Sequence, residues 1–266
     1  MRKVYVTKLR LHKESTQGSV FEGGFADGYP NKGWGIIITA RCDMAHEGKV
    51  NVVHYLPIVD IEDWLKIDGK MYMWKNARLS RYSKLVELCK SNGFPYIGVS
   101  LENFEKMGQT IENEAVKKKY QNIVANYFEI MNVTFEEFKP SDDSIRSCVH
   151  NLMENKLADF HLLESWEVST EQKYKVVLLR DLKKMEYSVA SHLVGGVLES
   201  EINNKDRNDL YYTDCTDSIF GIVAELDSPY LEHLMQRFTL NFYRVGVEDF
   251  PIMSQEIINE KIKELC

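Results

Sequence analysis

The chain has 266 residues, of which 44% are hydrophobic, and a formal net charge of −7. This size allows a full core, while the acidic balance weighs against a protein whose entire surface binds nucleic acid, and the apolar runs are far shorter than the roughly 20 residues that cross a bilayer. Five scattered cysteines without a C-x-x-C pair, and an N-terminus without the apolar core of a signal peptide, predict a cytoplasmic protein with reduced thiols and no membrane partner.

The first third of the chain predicts strands. Residues 4–11 alternate apolar and polar side chains with one phase slip, which is typical of an edge strand with a bulge. A β-branched run after Gly33 predicts a buried strand, and apolar residues return at 50–58. The two runs predict a β-hairpin whose connecting turn, residues 42–48, contains the densest polar chemistry in the chain.

The residues of this turn suggest a metal site. Cys42, Asp43 and His46 offer a thiolate, a carboxylate and an imidazole, which together suit zinc, and His54 or Tyr55 across the hairpin would add a ligand. The alternative is a solvated turn with a half-buried cysteine and no cofactor. A nucleophile pair of Cys42 with His46 or His54 is a further interpretation, but it requires a stabilised thiolate. We therefore expect no cofactor and keep a divalent metal, with a metal-dependent hydrolase or nuclease, as the alternative.

The middle third changes character and predicts helices. Helical spacing of apolar residues is present at 75–91, 111–132 and 142–155, with Asp60 as an N-cap and Asn92-Gly93 and Pro140-Ser141 as stop and start signals. Strand patterns return at 157–166, 173–181 and 218–226. These elements predict a β-rich body formed by residues 1–58 and 157–266, interrupted by a helical insertion at 59–156.

A basic island lies at the start of this insertion. Residues 66–90 contain seven basic and two acidic side chains, so the island carries +5 while the remainder carries −12. On a helix its arginines are expected to hold phosphates and its aromatic rings to stack on bases. The alternative is a helix that keeps its charges in water and turns its apolar residues toward the core, namely Leu79, Tyr82, Leu85, Val86 and Cys89. The predicted nucleic-acid contacts are Trp74, Lys75, Arg78, Arg81, Tyr82 and Lys84.

The clearest predicted helix is near the C-terminus. Ser228 is the expected N-cap, Pro229 the first helical residue and Gly246 the end. Arg237 and Arg244 lie off its apolar stripe, and we expect a structural ion pair with an acid of the insertion, such as Glu136 or Glu137, with a ligand contact as the alternative. A further amphipathic helix is predicted at 252–265. The apolar stripe consists of Leu231, Leu234, Met235, Phe238, Phe242 and Val245.

Two short resemblances accompany these patterns. GWGIIIT at 33–39 and YLPIV at 55–59 resemble the opening strands of PemK/MazF-type toxins, which are small SH3-like barrels and often endoribonucleases, although Gly33-Trp34 replaces the Arg-Pro pair of that family. Residues 228–238, 243–247 and 38–43 are similar to segments of uncharacterised bacterial proteins near mobile-element and phage-defence loci. The resemblances imply a barrel, a role in bacterial antiviral defence and, as an alternative, a PemK-like endoribonuclease.

The sequence thus predicts an α+β protein, a small β-barrel-like body interrupted by a helical insertion and closed by a C-terminal helix. The expected function is that of an accessory bacterial protein without catalysis of its own. It would bind a protein or nucleic-acid partner through the basic aromatic helix.

Overall fold

The computed structural model describes residues 14–30, 32–46, 48–164, 166, 174–214 and 217–243, apart from the side chains of the last two. Several predictions fall outside these residues. They are the strand at 4–11, the helix end at Gly246, the helix at 252–265, and the roles of Phe242, Arg244 and Val245.

The described residues form a mixture of strands and helices, which confirms the predicted α+β class. A π-helical turn, Leu65–Gly69, joins the second helix to the third. The strands are β1 (Ser19–Gly24), β2 (Gly33–Ile37), β3 (Val52–Asp60), β4 (Phe160–Glu164), β5 (Tyr174–Leu178), β6 (Lys183–Glu186), β7 (Val197–Leu198), β8 (Ile219–Phe220) and β9 (Ile222–Glu225). The helices are α1 (Arg41–Met44), α2 (Ile61–Trp64), α3 (Lys70–Asn92), α4 (Leu101–Gln109), α5 (Glu114–Asn132), α6 (Asp142–Met153), α7 (Tyr187–His192) and α8 (Tyr230–Tyr243).

The main sheet is antiparallel and curls into a half-barrel, with the order β4-β5-β3-β2-β1-β9 and with β6 also paired to β3. The predicted hairpin is confirmed as β2 and β3, in which Trp34 lies opposite Ile58. Strands that precede and follow the helical segment join the same sheet. Since that segment also shares a core with the sheet, the division into domains stays a prediction.

Strand pairing along one edge of β3 is interrupted beside Pro57. β5 and β6 both pair with one edge of β3, and their registers differ by three residues, so residues 179–182 form a break between them. Ile38 N donates to His54 O at 3.0 Å, so the backbone N–H and C=O groups of every second residue of β3, counted from His54, face β2. The nitrogen of Pro57 therefore lies on the other edge of β3, which faces the break. A proline is tolerated there because no N–H is required.

Each face of the sheet is covered. On one face Ile36, Leu56 and Ile58 pack under Leu231 and Leu234 of α8, which confirms the apolar stripe for its described core residues. Each of these two leucines contributes about 1.5–3 kcal/mol of burial as an upper estimate. Residues of α7, β7 and β8 cover the opposite face. Helix α8 therefore closes the body as predicted.

The helices form a second layer with two cores. One core, which includes Trp64 and Met73, is shared with β3, β4 and β5, while Leu85, Phe104 and Tyr120 belong to a separate core among α3, α4 and α5. None of the described helices is long and apolar enough to cross a membrane.

Two of the residues predicted to begin or end helices act as expected, and a third uses its side chain elsewhere. Gly93 ends α3 with a φ of 70°, and the Ser141 hydroxyl accepts from Ser144 N at 3.3 Å at the start of α6, as predicted. Asp60 occupies the N-cap position of α2, but its side chain makes no capping bond there. Its carboxylate instead accepts from Lys175 Nζ at 2.9 Å, because the neighbouring strand places this buried ammonium group against it.

Candidate nucleic-acid interface

A groove of about 740 Å³ lies between α3 and α5. Helix α3 contributes Arg81 and Lys84 to its lining, and α5 contributes Lys118 and Lys119. Glu87 is the one carboxylate among the lining residues. We call these four cations and the space between them the basic groove.

The packing of the two helices explains why these cations point into the groove. Leu85 and Leu88 of α3 are buried in the same core as Tyr120 of α5. Arg81 and Lys84 precede Leu85 and Leu88 by four residues, one turn of helix, and Lys118 and Lys119 immediately precede Tyr120. The buried contacts thus hold two pairs of exposed cations on opposite walls.

The charges of the basic groove are not neutralised by the chain itself. Within the described residues, none of its four cations forms an ion pair with a carboxylate. The adjacent Lys117 does, with Glu114 at 3.7 Å. A concave surface with several cations and one acid attracts anions and concentrates them near its floor.

Trp74 and Arg78, two of the predicted contacts, take part in internal packing. Trp74 Nε1 donates to Val133 O at 3.2 Å, and the Arg78 guanidinium lies over the indole ring at 4.7 Å from its centroid. Phe135 contacts the same ring edge-on, with centroids 6.1 Å apart. These contacts occupy the ring, so the structure does not present Trp74 as an open stacking platform.

Lys75 and Tyr82 are exposed but do not line the groove. Tyr82 is 37% exposed, and the centroid of its ring lies 6.2 Å from that of Tyr127. Of the six predicted contacts, the structure therefore gathers only Arg81 and Lys84 in the groove. The opposite wall, Lys118 and Lys119, was missed, although the run of three lysines at 117–119 in a predicted helix was a visible signal.

The predicted metal turn is open to solvent and locally paired. The carboxylate of Asp43 accepts a hydrogen bond from Lys49 Nζ at 2.5 Å, and this contact lowers the pKa of Asp43. Cys42 Sγ lies 3.7 Å from the same carboxylate, and His46 is exposed. In the part of the chain that the structure describes, no three His, Cys, Asp or Glu side chains gather as a metal-binding group. A metal at Cys42, Asp43 and His46 stays a prediction without geometric support.

Two buried lysines of the sheet do have carboxylate partners. Lys183 Nζ lies 2.5 Å from Asp27 and 2.8 Å from Asp181. Although burial lowers its pKa, the hydrogen bonds to both aspartates give a net rise. Lys175 combines its Asp60 contact with a position 3.3 Å from the ring centroid of Trp34. Both ammonium groups are therefore paired with carboxylates inside the sheet.

A scan against protein-family models returned no match, and searches of curated proteins and of solved structures returned none either. The resemblances to PemK/MazF-type barrels and to bacterial defence proteins therefore stay predictions. The functional argument depends on the groove itself.

Proposed function

We propose that the chain binds single-stranded nucleic acid through the basic groove, as an accessory protein that catalyses no reaction of its own. The cytoplasmic location and the role in bacterial defence that the sequence suggests belong to the same proposal. The observation that carries it is the placement of Arg81 and Lys84 opposite Lys118 and Lys119, with no carboxylate partner for any of the four among the described residues.

Two walls of cations suit a phosphate backbone. A strand lying along the groove would meet cations from both sides, and each contact would release counterions from the strand. In the described part of the chain, no ion pair of these four side chains has to break first. The gain in free energy from each contact is therefore not reduced by a lost salt bridge.

The groove favours recognition of phosphates over bases. Its described lining contains no aromatic ring, and the Trp74 ring is occupied by Arg78 and Phe135. Phosphate contacts position a nucleic acid but carry no sequence information. Binding is consequently expected to depend steeply on salt and weakly on sequence.

A protein partner is supported less well by this surface. Protein interfaces usually centre on a core of aromatic and other apolar side chains from which charges are depleted. The apolar lining here consists of Leu88, Ala115 and Ile123, and charged groups surround it. An anionic polymer therefore fits the groove better.

The proposal is tested by fluorescence anisotropy with labelled single-stranded DNA and RNA of mixed sequence at low salt. Lys118→Glu/Lys119→Glu should weaken binding by about a hundredfold, since two charge-assisted contacts are each worth roughly 1.4 kcal/mol or more. The matched control, Lys75→Glu/Lys139→Glu, changes the net charge equally on exposed lysines outside the groove. Equal weakening by both variants, or no binding by the unmodified protein, would overturn the proposal.

A further inference from the structure

Helix α8 contains a buried cation of a different kind. Arg237 is only 8% exposed. Its Nη2 donates to Leu157 O at 2.6 Å, while Nη1 donates to Asn155 Oδ1 and lies 3.5 Å from His161 Nδ1. These contacts tie α8 to the chain that follows α6. They differ from the predicted pairing with Glu136 or Glu137, because every acceptor is neutral.

The positive charge of Arg237 has no counter-charge from the described chain. No carboxylate there pairs with it, and Nε has no hydrogen-bond acceptor among the same residues. Burial, helped by the charge of Arg237 and by His233, lowers the pKa of His161 to about 3, so this neighbour stays neutral. An isolated buried cation is strongly unfavourable unless an anion reaches it.

A cavity gives an anion that access. It measures about 240 Å³ and is lined by Arg237 together with Lys156, Asn155 and Asn241. Lys156 is exposed and has no carboxylate partner within the described chain, so the lining holds two cations and no acid. The volume lies below the roughly 300–1,000 Å³ of sites for drug-sized ligands, which favours an ion or a single ionic group.

The backbone fixes this cavity wall. Asn155 has a φ of 57°, and it ends α6 with hydrogen bonds from its own N–H to Leu152 O at 3.1 Å and from Lys156 N to Asn151 O at 2.9 Å. This is a Schellman arrangement, in which asparagine is one of the few residues other than glycine that tolerate the left-handed position. The turn directs the side-chain oxygen of Asn155 to Arg237 and sets Lys156 at the cavity.

We propose that this cavity binds a phosphate group between Arg237 and Lys156. Two cations match a dianion better than a monoanion, and the Nε–H of Arg237, which has no acceptor among the described residues, can donate to a phosphate oxygen. The group would come from free phosphate or from the end of a small phosphorylated ligand. This site is separate from the basic groove and does not depend on nucleic-acid binding there.

The test is calorimetric titration with inorganic phosphate, against chloride at equal ionic strength, and in a second arm with adenosine 5′-monophosphate. Tighter binding of the ion assigns the site to free phosphate, whereas tighter binding of the nucleotide assigns it to a terminal phosphate. Lys156→Glu should weaken phosphate binding by about tenfold or more, as expected for losing a charge-assisted contact. Because Lys156 is exposed, this variant should fold, which circular dichroism checks.

Two controls separate the cavity from other cations. Lys139→Glu alters an exposed lysine outside the cavity and should leave phosphate binding unchanged. Lys118→Glu/Lys119→Glu should also keep phosphate binding, even as it loses nucleic acid. Phosphate that binds no better than chloride, or an equal loss in Lys156→Glu and Lys139→Glu, would overturn the cavity proposal and leave the groove proposal untouched.

Discussion

The basic groove and the Arg237 cavity both present cations that pair with no carboxylate of the described residues, but in opposite surroundings. Arg81, Lys84, Lys118 and Lys119 are exposed, so water solvates their charges and salt screens them. Arg237 is buried and depends on neutral acceptors in the turn after α6. Uncompensated charge thus costs little stability on the surface and a great deal in the interior. The groove can therefore be altered freely, whereas the cavity is coupled to folding.

Arg237→Ala is expected to lower the free energy of unfolding more than a substitution in the groove. The substitution leaves Asn155 Oδ1 and Leu157 O without their donor, and an unsatisfied buried acceptor costs about 1–3 kcal/mol. Because removing the guanidinium also removes its desolvation cost, we expect a net fall of about 1–3 kcal/mol in the free energy of unfolding, measured by urea denaturation. Arg81→Ala in the groove should change it by less than about 0.5 kcal/mol. Similar values for both variants would contradict the distinction between the two sites.

A pH effect follows from His161, which lies beside Arg237. Because its folded-state pKa of about 3 is below the unfolded value of roughly 6.5, the unfolded chain binds the proton more readily. This contribution to stability is complete above pH 6.5 and is lost as the pH falls toward 3. By pH 5 the expected loss is about 2 kcal/mol. His161→Gln should flatten this part of the stability profile, and an unchanged slope in that variant would exclude His161 as its source.

Trp74→Phe tests whether the ring of Trp74 serves internal packing or contacts nucleic acid. The variant keeps a ring against Arg78 and Phe135 but loses the hydrogen bond to Val133 O. Unfolding free energy should fall by about 1 kcal/mol, while nucleic-acid affinity stays within twofold. Urea denaturation and anisotropy measure the two quantities. A large loss of affinity with unchanged stability would show that Trp74 contacts the ligand.

The sequence predicted those features that depend on neighbouring residues. The β2–β3 hairpin, the glycine that ends α3 and the serine that caps α6 follow from local patterns, and counting charges was enough to indicate Arg81 and Lys84. Lys118 and Lys119 became part of the site only through the packing of α5 on α3, which is a tertiary contact. A single-sequence pattern does not specify such a contact.

Arg237 shows the limit of helical spacing as a guide to burial. The side chain lies off the apolar stripe of α8, so a structural ion pair was the expectation, and for Arg237 it was wrong. Its partners lie in a turn about eighty residues earlier in the chain. Asn155 has a left-handed conformation in that turn, which the sequence analysis did not predict. Likewise Asp60 was correctly predicted at a helix start, but its carboxylate pairs with Lys175, which is far away in the sequence and lies on the adjacent strand of the sheet.

The most direct test of the basic groove is the salt dependence of single-strand binding. The logarithm of the association constant falls with the logarithm of salt concentration by about 0.7 for each neutralised phosphate of a single strand. Lys118→Ala/Lys119→Ala should therefore reduce that slope by about 1.4, and Lys75→Ala/Lys139→Ala should leave it unchanged. Identical slopes for the two double variants would contradict the claim that the groove between α3 and α5 holds the phosphates.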